Sequence, residues 1–385
     1  MHLFFSAGEP SGDIHGANCI REMRRLDPLT TISAFGGQRM REAGCQLLYP
    51  LADLAVMGFG PVVRNLPRFR ALLKEADRFL RTERPDAVVL IDCPGFNWWV
   101  ARRARARGIP VFYFVPPQIW GWASWRVQKM RRLVDEVFCT LSFEEKWYRD
   151  RGVPARYVGH PYFDELAAQQ LNAAFVEDQQ DRPGTVIGLL PGSRNQEVES
   201  NLPALLAAAD YIYAARPDTR FLVACLHAHQ RDRVEEALLD WALPIEAHAG
   251  RTAEIIHLAH SCVAVSGSVG LELLFRGKPA VVIYHANRVM NLIADCLMEC
   301  RFFSIVNLLA DRLLFPEFRG PRLPAAELGG PIVNWIASRA EYQKVCEDLA
   351  NLRDKVMKPG ASRLAAQAIL EEASKPAGGK GRVAA

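Results

Sequence analysis

No apolar run in these 385 residues approaches the length of a membrane span, about 18 residues. The chain is therefore not predicted to cross a bilayer. Residues 1–7 are too short to supply the basic region and apolar core of a secretory signal, so the expectation is a protein that stays in the cytoplasm. Nine cysteines are present, yet none forms a Cys-x-x-Cys pair. Cys296 and Cys300 stand one helical turn apart with no second pair to complete a zinc site. The thiols are read as reduced and mostly buried, and no metal is expected. A net charge of +4 is too small to argue for nucleic acid. Internal repeats are lacking too.

Apolar strand-like runs alternate with helical patterns along the whole chain, the mark of an α/β protein with parallel sheets. The predicted strands are 2–6, 31–35, 87–91, 111–114, 137–140 and 156–158 in the first half. In the second half they are 186–190, 221–224, 262–265 and 280–284. Length alone favours two domains. The stretch 167–184, rich in Gln and Asp and closed by Pro183-Gly184, reads as a linker between domains 1–166 and 185–360. A helix over 361–373 follows, then a small, basic tail over 374–385 that reads as disordered.

Three glycine-bearing stations read, on their residues alone, either as ligand-binding loops or as plain strand–turn–helix connections. The first is Gly8-Glu9-Pro10-Ser11-Gly12-Asp13, between the opening strand and a helix. No Gly-Lys-Ser/Thr follows it, so it is not a triphosphate cradle, and its glycine spacing does not fit a dinucleotide fingerprint. The second is Pro191-Gly192-Ser193-Arg194 with Glu197 three residues on, where a planar guanidinium suits a diphosphate. The third is Ser266-Gly267-Ser268 with Glu272, small hydroxyls and amides for a diphosphate and a carboxylate for ribose hydroxyls. Asp92 leaves the apolar run 87–91 where a general base is well placed, although the same position suits a turn aspartate. Asn97 follows it, and His160 stands after Gly159.

The run Ser6-Ala7-Gly8-Glu9-Pro10-Ser11-Gly12-Asp13-Ile14-His15-Gly16-Ala17 resembles the opening signature of the lipid-A-disaccharide synthases, a glycosyltransferase family of bacteria with an outer membrane. Ile91-Asp92-Cys93-Pro94-Gly95-Phe96-Asn97 is similar to that family's Ile-Asp-x-Pro-Asp-Phe-Asn, with Gly95 where the motif has a second Asp. Pro191–Arg194 with Glu197 matches, and Ser266–Glu272 resembles Ser-Gly-Thr-x-x-Leu-Glu with Ser268 for Thr. Shorter matches include Phe35-Gly36-Gly37, residues 55–59, Pro117-Gln118-Ile119-Trp120-Gly121-Trp122, Gly159-His160-Pro161 and Asn307-Leu308-Leu309-Ala310.

The resemblance implies a GT-B architecture, two Rossmann-like domains facing across a cleft, and transfer from UDP-2,3-diacylglucosamine to 2,3-diacylglucosamine 1-phosphate. It makes Asp92 the catalytic base. Gly192, Ser193, Arg194, Glu197, Ser266, Gly267, Ser268 and Glu272 become donor-binding residues. Gly8, Glu9, Ser11, Gly12, Asp13, Asn97, His160 and Asn307 are assigned to the acceptor side. No cofactor is implied. The implied partners are the two lipid substrates and the inner-membrane surface, with a homodimer as a quaternary option and no nucleic acid. Residues 64–151 hold 18 basic and 10 acidic side chains. Within 61–84 an apolar stripe including Leu66, Phe69, Leu72 and Leu73 runs between arginines. Such a segment reads either as a core-facing helix or as an interfacial one. On the second reading these residues, with Trp120 and Trp122, would touch membrane or acyl chains, making the protein peripheral on the inner membrane. The alternatives carried forward are a UDP-N-acetylglucosamine 2-epimerase-like enzyme on the same scaffold, or a degenerate nucleotide-sugar- or lipid-binding protein.

Overall fold

All five residues of Ala87–Ile91 are buried, as a central parallel strand flanked on both faces requires. Alternation along the strands divides them: Phe4, Val88 and Leu90 pack into one apolar layer, and Leu3, Phe5, Val89 and Ile91 into another. The computed structural model describes residues 1–52 and 66–375. The 55–59 motif, residues 61–65 of the amphipathic stretch and residues 376–385 of the tail lie outside the described residues.

The first sheet holds β1 (His2–Ala7), β2 (Thr31–Phe35), β3 (Gln46–Tyr49), β4 (Ala87–Ile91), β5 (Val111–Phe114), β6 (Glu136–Cys139) and β7 (Ala155–Tyr157). Its order is β3-β2-β1-β4-β5-β6-β7. The second holds β8 (Thr185–Leu190), β9 (Thr219–Cys225), β10 (Ile245–Ala249), β11 (Ser261–Val265), β12 (Ala280–His285) and β13 (Glu317–Gly320), in the order β10-β9-β8-β11-β12-β13. Every strand pairing in both is parallel.

The chain divides into two compact units. One comprises Met1–Asp164 and the chain from Met357 onward; the other is Glu165–Val356. The returning helix Ala361–Ala373 packs on Pro10–Leu26, its Ala365, Ala366 and Ile369 sharing a core with Ala17, Cys19 and Ile20. Asp164 caps that helix, its carboxylate accepting from the amides of Gly360 at 2.8 Å and Ser362 at 2.8 Å. Arg156 secures the other end through Glu136, Glu371 and Glu372.

Two expectations change here. The linker predicted over 167–184 contains the helix Ala173–Gln180, which belongs to the second unit. Gln179 is fully buried and receives the guanidinium of Arg220, a polar anchor that composition reports only as hydrophilicity. The amphipathic helix Leu66–Thr82 faces the core: Leu72, Leu73, Ala76 and Leu80 are buried, and Phe69 packs against the same layer. Leu72 and Leu73 are therefore core residues and not membrane contacts. An apolar stripe of period 3.6 marks any helix with one buried face. The side chain of Leu66 lies outside the described residues.

Candidate functional site

In open α/β sheets, ligands bind where strand order reverses, beyond the carboxyl ends of the two strands at that point. The first sheet reverses between β1 and β4, the second between β8 and β11. The glycine loop leaves β1 and Asp92 leaves β4. Gly192–Arg194 follow β8 and Ser266–Ser268 follow β11. Each pair of stations therefore flanks the switch point of its own sheet.

At the first switch point the backbone is strained. Asp92 and Cys93 both adopt left-handed conformations, with φ of 48° and 43°, and Val115 beyond β5 has φ of 51°. Such geometry costs about 1–3 kcal/mol per residue and persists only where neighbours enforce it. Here they do. Fully buried Tyr113 donates its hydroxyl to the Asp92 carbonyl at 2.6 Å, and the Asn97 side-chain amide donates to the same oxygen at 2.8 Å. Asn97 also donates to the Ile91 carbonyl at 3.0 Å and accepts from Ser6 Oγ at 2.7 Å. Gly8 admits the turn, since a Cβ there would stand 2.5 Å from Cys93 Sγ. Gly12 passes beneath the carboxylate, the place of its absent Cβ lying 3.4 Å from Asp92 Oδ2.

The Asp92 carboxyl is thus half-buried among Glu9, Ser11 and His15. Burial pushes its pKa up to about 7, opposed by His15 and a Ser11 hydrogen bond and reinforced by Glu9. A carboxylate poised there is half-deprotonated at neutral pH, as a general base requires. The His160 ring packs edge-on against that of His15, 6.0 Å away. Burial and His15 hold His160 neutral, down to about 3, and its Nδ1 accepts from the Tyr162 amide at 3.2 Å.

Two residues expected on the acceptor side have other tasks. Asp13 turns away to cap the helix Gln38–Glu42, accepting from the amides of Gly37 at 2.7 Å, Arg39 at 3.0 Å and Met40 at 3.1 Å. Asn307 belongs to the second unit, fully buried, and donates to the Phe315 carbonyl and Glu317 while accepting from the amides of Leu314 and Phe315. Both are structural pins. A short polar residue beside a loop reads the same from sequence whether it meets a ligand or a backbone.

At the second switch point, Gly192 has φ of 122° and leads into Arg194. Glu197 organises this loop instead of facing a ligand: its carboxylate accepts from the amides of Ser193 at 3.0 Å and Arg194 at 3.1 Å and pairs with the Arg194 guanidinium at 3.0 Å. The Arg194 side chain is 80% exposed, so its remaining donors face solvent. Ser266 commits its hydroxyl proton to the Phe303 carbonyl at 3.1 Å and is not a free donor for a diphosphate. Gly267 and Ser268 are exposed. Glu272 is buried in an ion pair with Arg276 at 3.1 Å, their side chains 6% and 9% exposed.

The family model for lipid-A-disaccharide synthetase matches residues 3–370. The chain belongs to the lipid-A-disaccharide synthase family. A relative of that name from Anaeromyxobacter sp. (strain K) is 33% identical over 96% of both chains. Another, from Myxococcus xanthus, is 32% identical over 95% of this chain and 96% of its own. Among solved structures, UDP-GlcNAc 2-epimerase from Neisseria meningitidis bound to UDP-GlcNAc superposes with a TM-score of 0.64, covering 96% of this chain and 100% of that one at 14% identity. That likeness carries the fold, which is of the GT-B type; membership of the synthase family makes the chain a glycosyltransferase.

Several residues that shape these loops escaped sequence reasoning. Tyr113 looks like any strand aromatic, and only the contact to Asp92 reveals it. Glu317 holds the amides of Phe303 at 3.2 Å and Ser304 at 2.9 Å, which fixes the carbonyl that Ser266 uses. Glu144, buried and pushed up to about 7, receives Trp120 Nε1 at 2.9 Å. Trp120 is accordingly a core residue and not an acyl contact, whereas Trp122 is 44% exposed. An indole N–H that must find a partner when buried was the available signal.

Proposed function

We propose that this enzyme transfers 2,3-diacylglucosamine from UDP-2,3-diacylglucosamine to the 6-hydroxyl of 2,3-diacylglucosamine 1-phosphate. The products are the β-1,6-linked disaccharide 1-phosphate and UDP. Asp92, half-buried at a switch point with its pKa raised to about 7, is the observation that carries the reading. Its carboxylate accepts the hydroxyl proton as the acceptor oxygen bonds to the anomeric carbon. The bond from that carbon to the diphosphate breaks, and the electron pair leaves with UDP, inverting the anomeric centre. In this reading Arg194, with the loop around Gly267 and Ser268, meets the departing diphosphate, and Glu272 the ribose. Glu9, Ser11 and His160 frame the acceptor hydroxyl. Protein donors take the place of a cation, so turnover is expected to withstand a chelator.

Because both substrates carry acyl chains, the reaction is assigned to the cytoplasmic surface of the inner membrane. Among the described residues no helix is long and apolar enough to cross a membrane. The test is purified protein in mild detergent with UDP-diacylglucosamine, with and without diacylglucosamine 1-phosphate, following UDP and disaccharide together. Both products are expected, and only with the acceptor present. UDP release without disaccharide would refute the transfer.

A further prediction concerns Tyr113, a positioning residue that acts through the Asp92 carbonyl. Tyr113→Phe removes one of the two side-chain donors holding the strained turn. Turnover is expected to fall about tenfold, the value of roughly one hydrogen bond, with KM for the UDP-sugar unchanged. The acid limb of the pH profile, near 7 in the parent, should move down as the carboxylate gains solvent. An unmoved limb would give Tyr113 a packing role only.

A further inference from the structure

Beside Gly95, three residues past Asp92, the first unit carries a groove of about 210 Å³ lined by Trp99, Arg102, Arg126 and Lys129, with no acidic side chain in its wall. That volume is several times the ~30 Å³ share of a water molecule. The neighbouring cations behave differently. Arg103 and Arg107 pair with Asp77, and Arg105 pairs with Asp135. Arg102, Arg126 and Lys129 have no carboxylate partner among the described residues. Two of them rest on indoles instead: the Arg102 guanidinium lies 5.1 Å from the Trp99 ring, and that of Arg126 lies 4.6 Å from Trp122 and 6.0 Å from Trp125. Stacking orients a guanidinium while leaving its N–H edge for a ligand. Like charges gathered around one concavity repel each other unless an anion joins them, and the field they share draws that anion in.

Gly95 sharpens the point. It is exposed, with nothing within 4 Å of where a Cβ would stand, and it occupies the position at which the resembling motif carries an aspartate. A carboxylate there would share the groove with the three cations. Its absence leaves every charged group in the wall positive.

We propose that this groove binds a phosphate monoester or phosphodiester on a polar head, with the guanidinium edges of Arg102 and Arg126 and the Lys129 ammonium on the phosphate oxygens and the Trp99 indole against the adjoining apolar atoms. Assigning it to the acceptor's own phosphate rests on the reaction proposed above; the phosphate chemistry does not. The two sources of such a group are a sugar 1-phosphate and a phospholipid headgroup.

The full chain is titrated by tryptophan fluorescence with glucosamine 1-phosphate, with glucosamine as the uncharged control. It is titrated in parallel with phosphatidylcholine vesicles with and without phosphatidylglycerol. Saturable binding of glucosamine 1-phosphate but not glucosamine assigns the groove to the soluble phosphate. Binding confined to vesicles containing phosphatidylglycerol assigns it to a lipid headgroup. In either case Arg126→Gln and Lys129→Gln are each expected to weaken binding about 10- to 100-fold, as loss of a charged hydrogen bond does. Gly95→Asp should weaken it as well without harming the fold, since the site is open and an acidic residue suits the first turn of Pro94–Arg105. Binding of neither probe, or binding that all three variants leave unchanged, overturns the proposal. Failure of the parent enzyme to make disaccharide would instead sink the transfer reaction and leave these titrations standing.

Discussion

Asp92→Asn is expected to lower turnover by about 10²- to 10⁴-fold, the usual contribution of a general base, while UDP binding persists and the melting temperature rises. The gain in stability follows from the same burial that raises the Asp92 pKa. In the unfolded chain this carboxyl titrates near its ordinary value of 3.8, whereas in the folded protein it holds its proton up to about 7. Between those values the unfolded state gives up a proton that the folded state keeps, so the contribution of this group to stability declines as pH rises through that window. At neutral pH the folded protein carries a partly buried charge that asparagine does not have. Asparagine is also more at ease than most residues in the left-handed backbone at φ of 48°. Opposite movement of activity and stability is therefore the signature to look for, by thermal melts and single-turnover assays side by side. A variant as active as the parent would remove Asp92 from the role of base; one equally inactive but less stable would point to collapse of the turn.

Glu272→Gln is expected to act on both stability and binding, and the two effects can be separated. Glu272 and Arg276 form a buried pair. Neutralising one partner leaves the other charge uncompensated, which costs about 3–5 kcal/mol. For a unit of this size the fall in melting temperature is roughly 10 °C. The double variant Glu272→Gln, Arg276→Met removes the orphaned charge and should recover much of that loss. It should not recover affinity for UDP, measured by calorimetric titration, if the Glu272 carboxylate meets the ribose. Recovery of both would reduce Glu272 to a structural partner of Arg276.

The ten strands predicted from apolar runs are all present, within a residue or two at their ends. Among the described residues the three that were missed, β3, β10 and β13, are each at the edge of a sheet. An edge strand is covered less completely and needs no continuous apolar run, so Gln46–Tyr49, Ile245–Ala249 and Glu317–Gly320 carry polar residues that hide them. The site was legible to the same depth. Loops that follow buried strands could be located, because their glycines and the acidic or basic residue behind them are local features. Whether such a residue meets a ligand depends on partners far away in sequence. Asp13 is claimed by amides 24 to 27 residues on, and Tyr113 reaches Asp92 across 21.

The return of the chain to its first unit also bears on how the protein is made. Everything from Glu165 to Val356 is contiguous, so a ribosome delivers the second unit whole. The first unit is begun earliest and finished last: the helix Ala361–Ala373 that covers Pro10–Leu26 emerges only after the second unit has been synthesised. Until then Ala17, Cys19 and Ile20 lack their cover, and the nascent chain presents an apolar face that a chaperone could hold. Truncation before Ala361 should consequently leave the second unit, Glu165–Val356, soluble and folded while the unit bearing Asp92 aggregates.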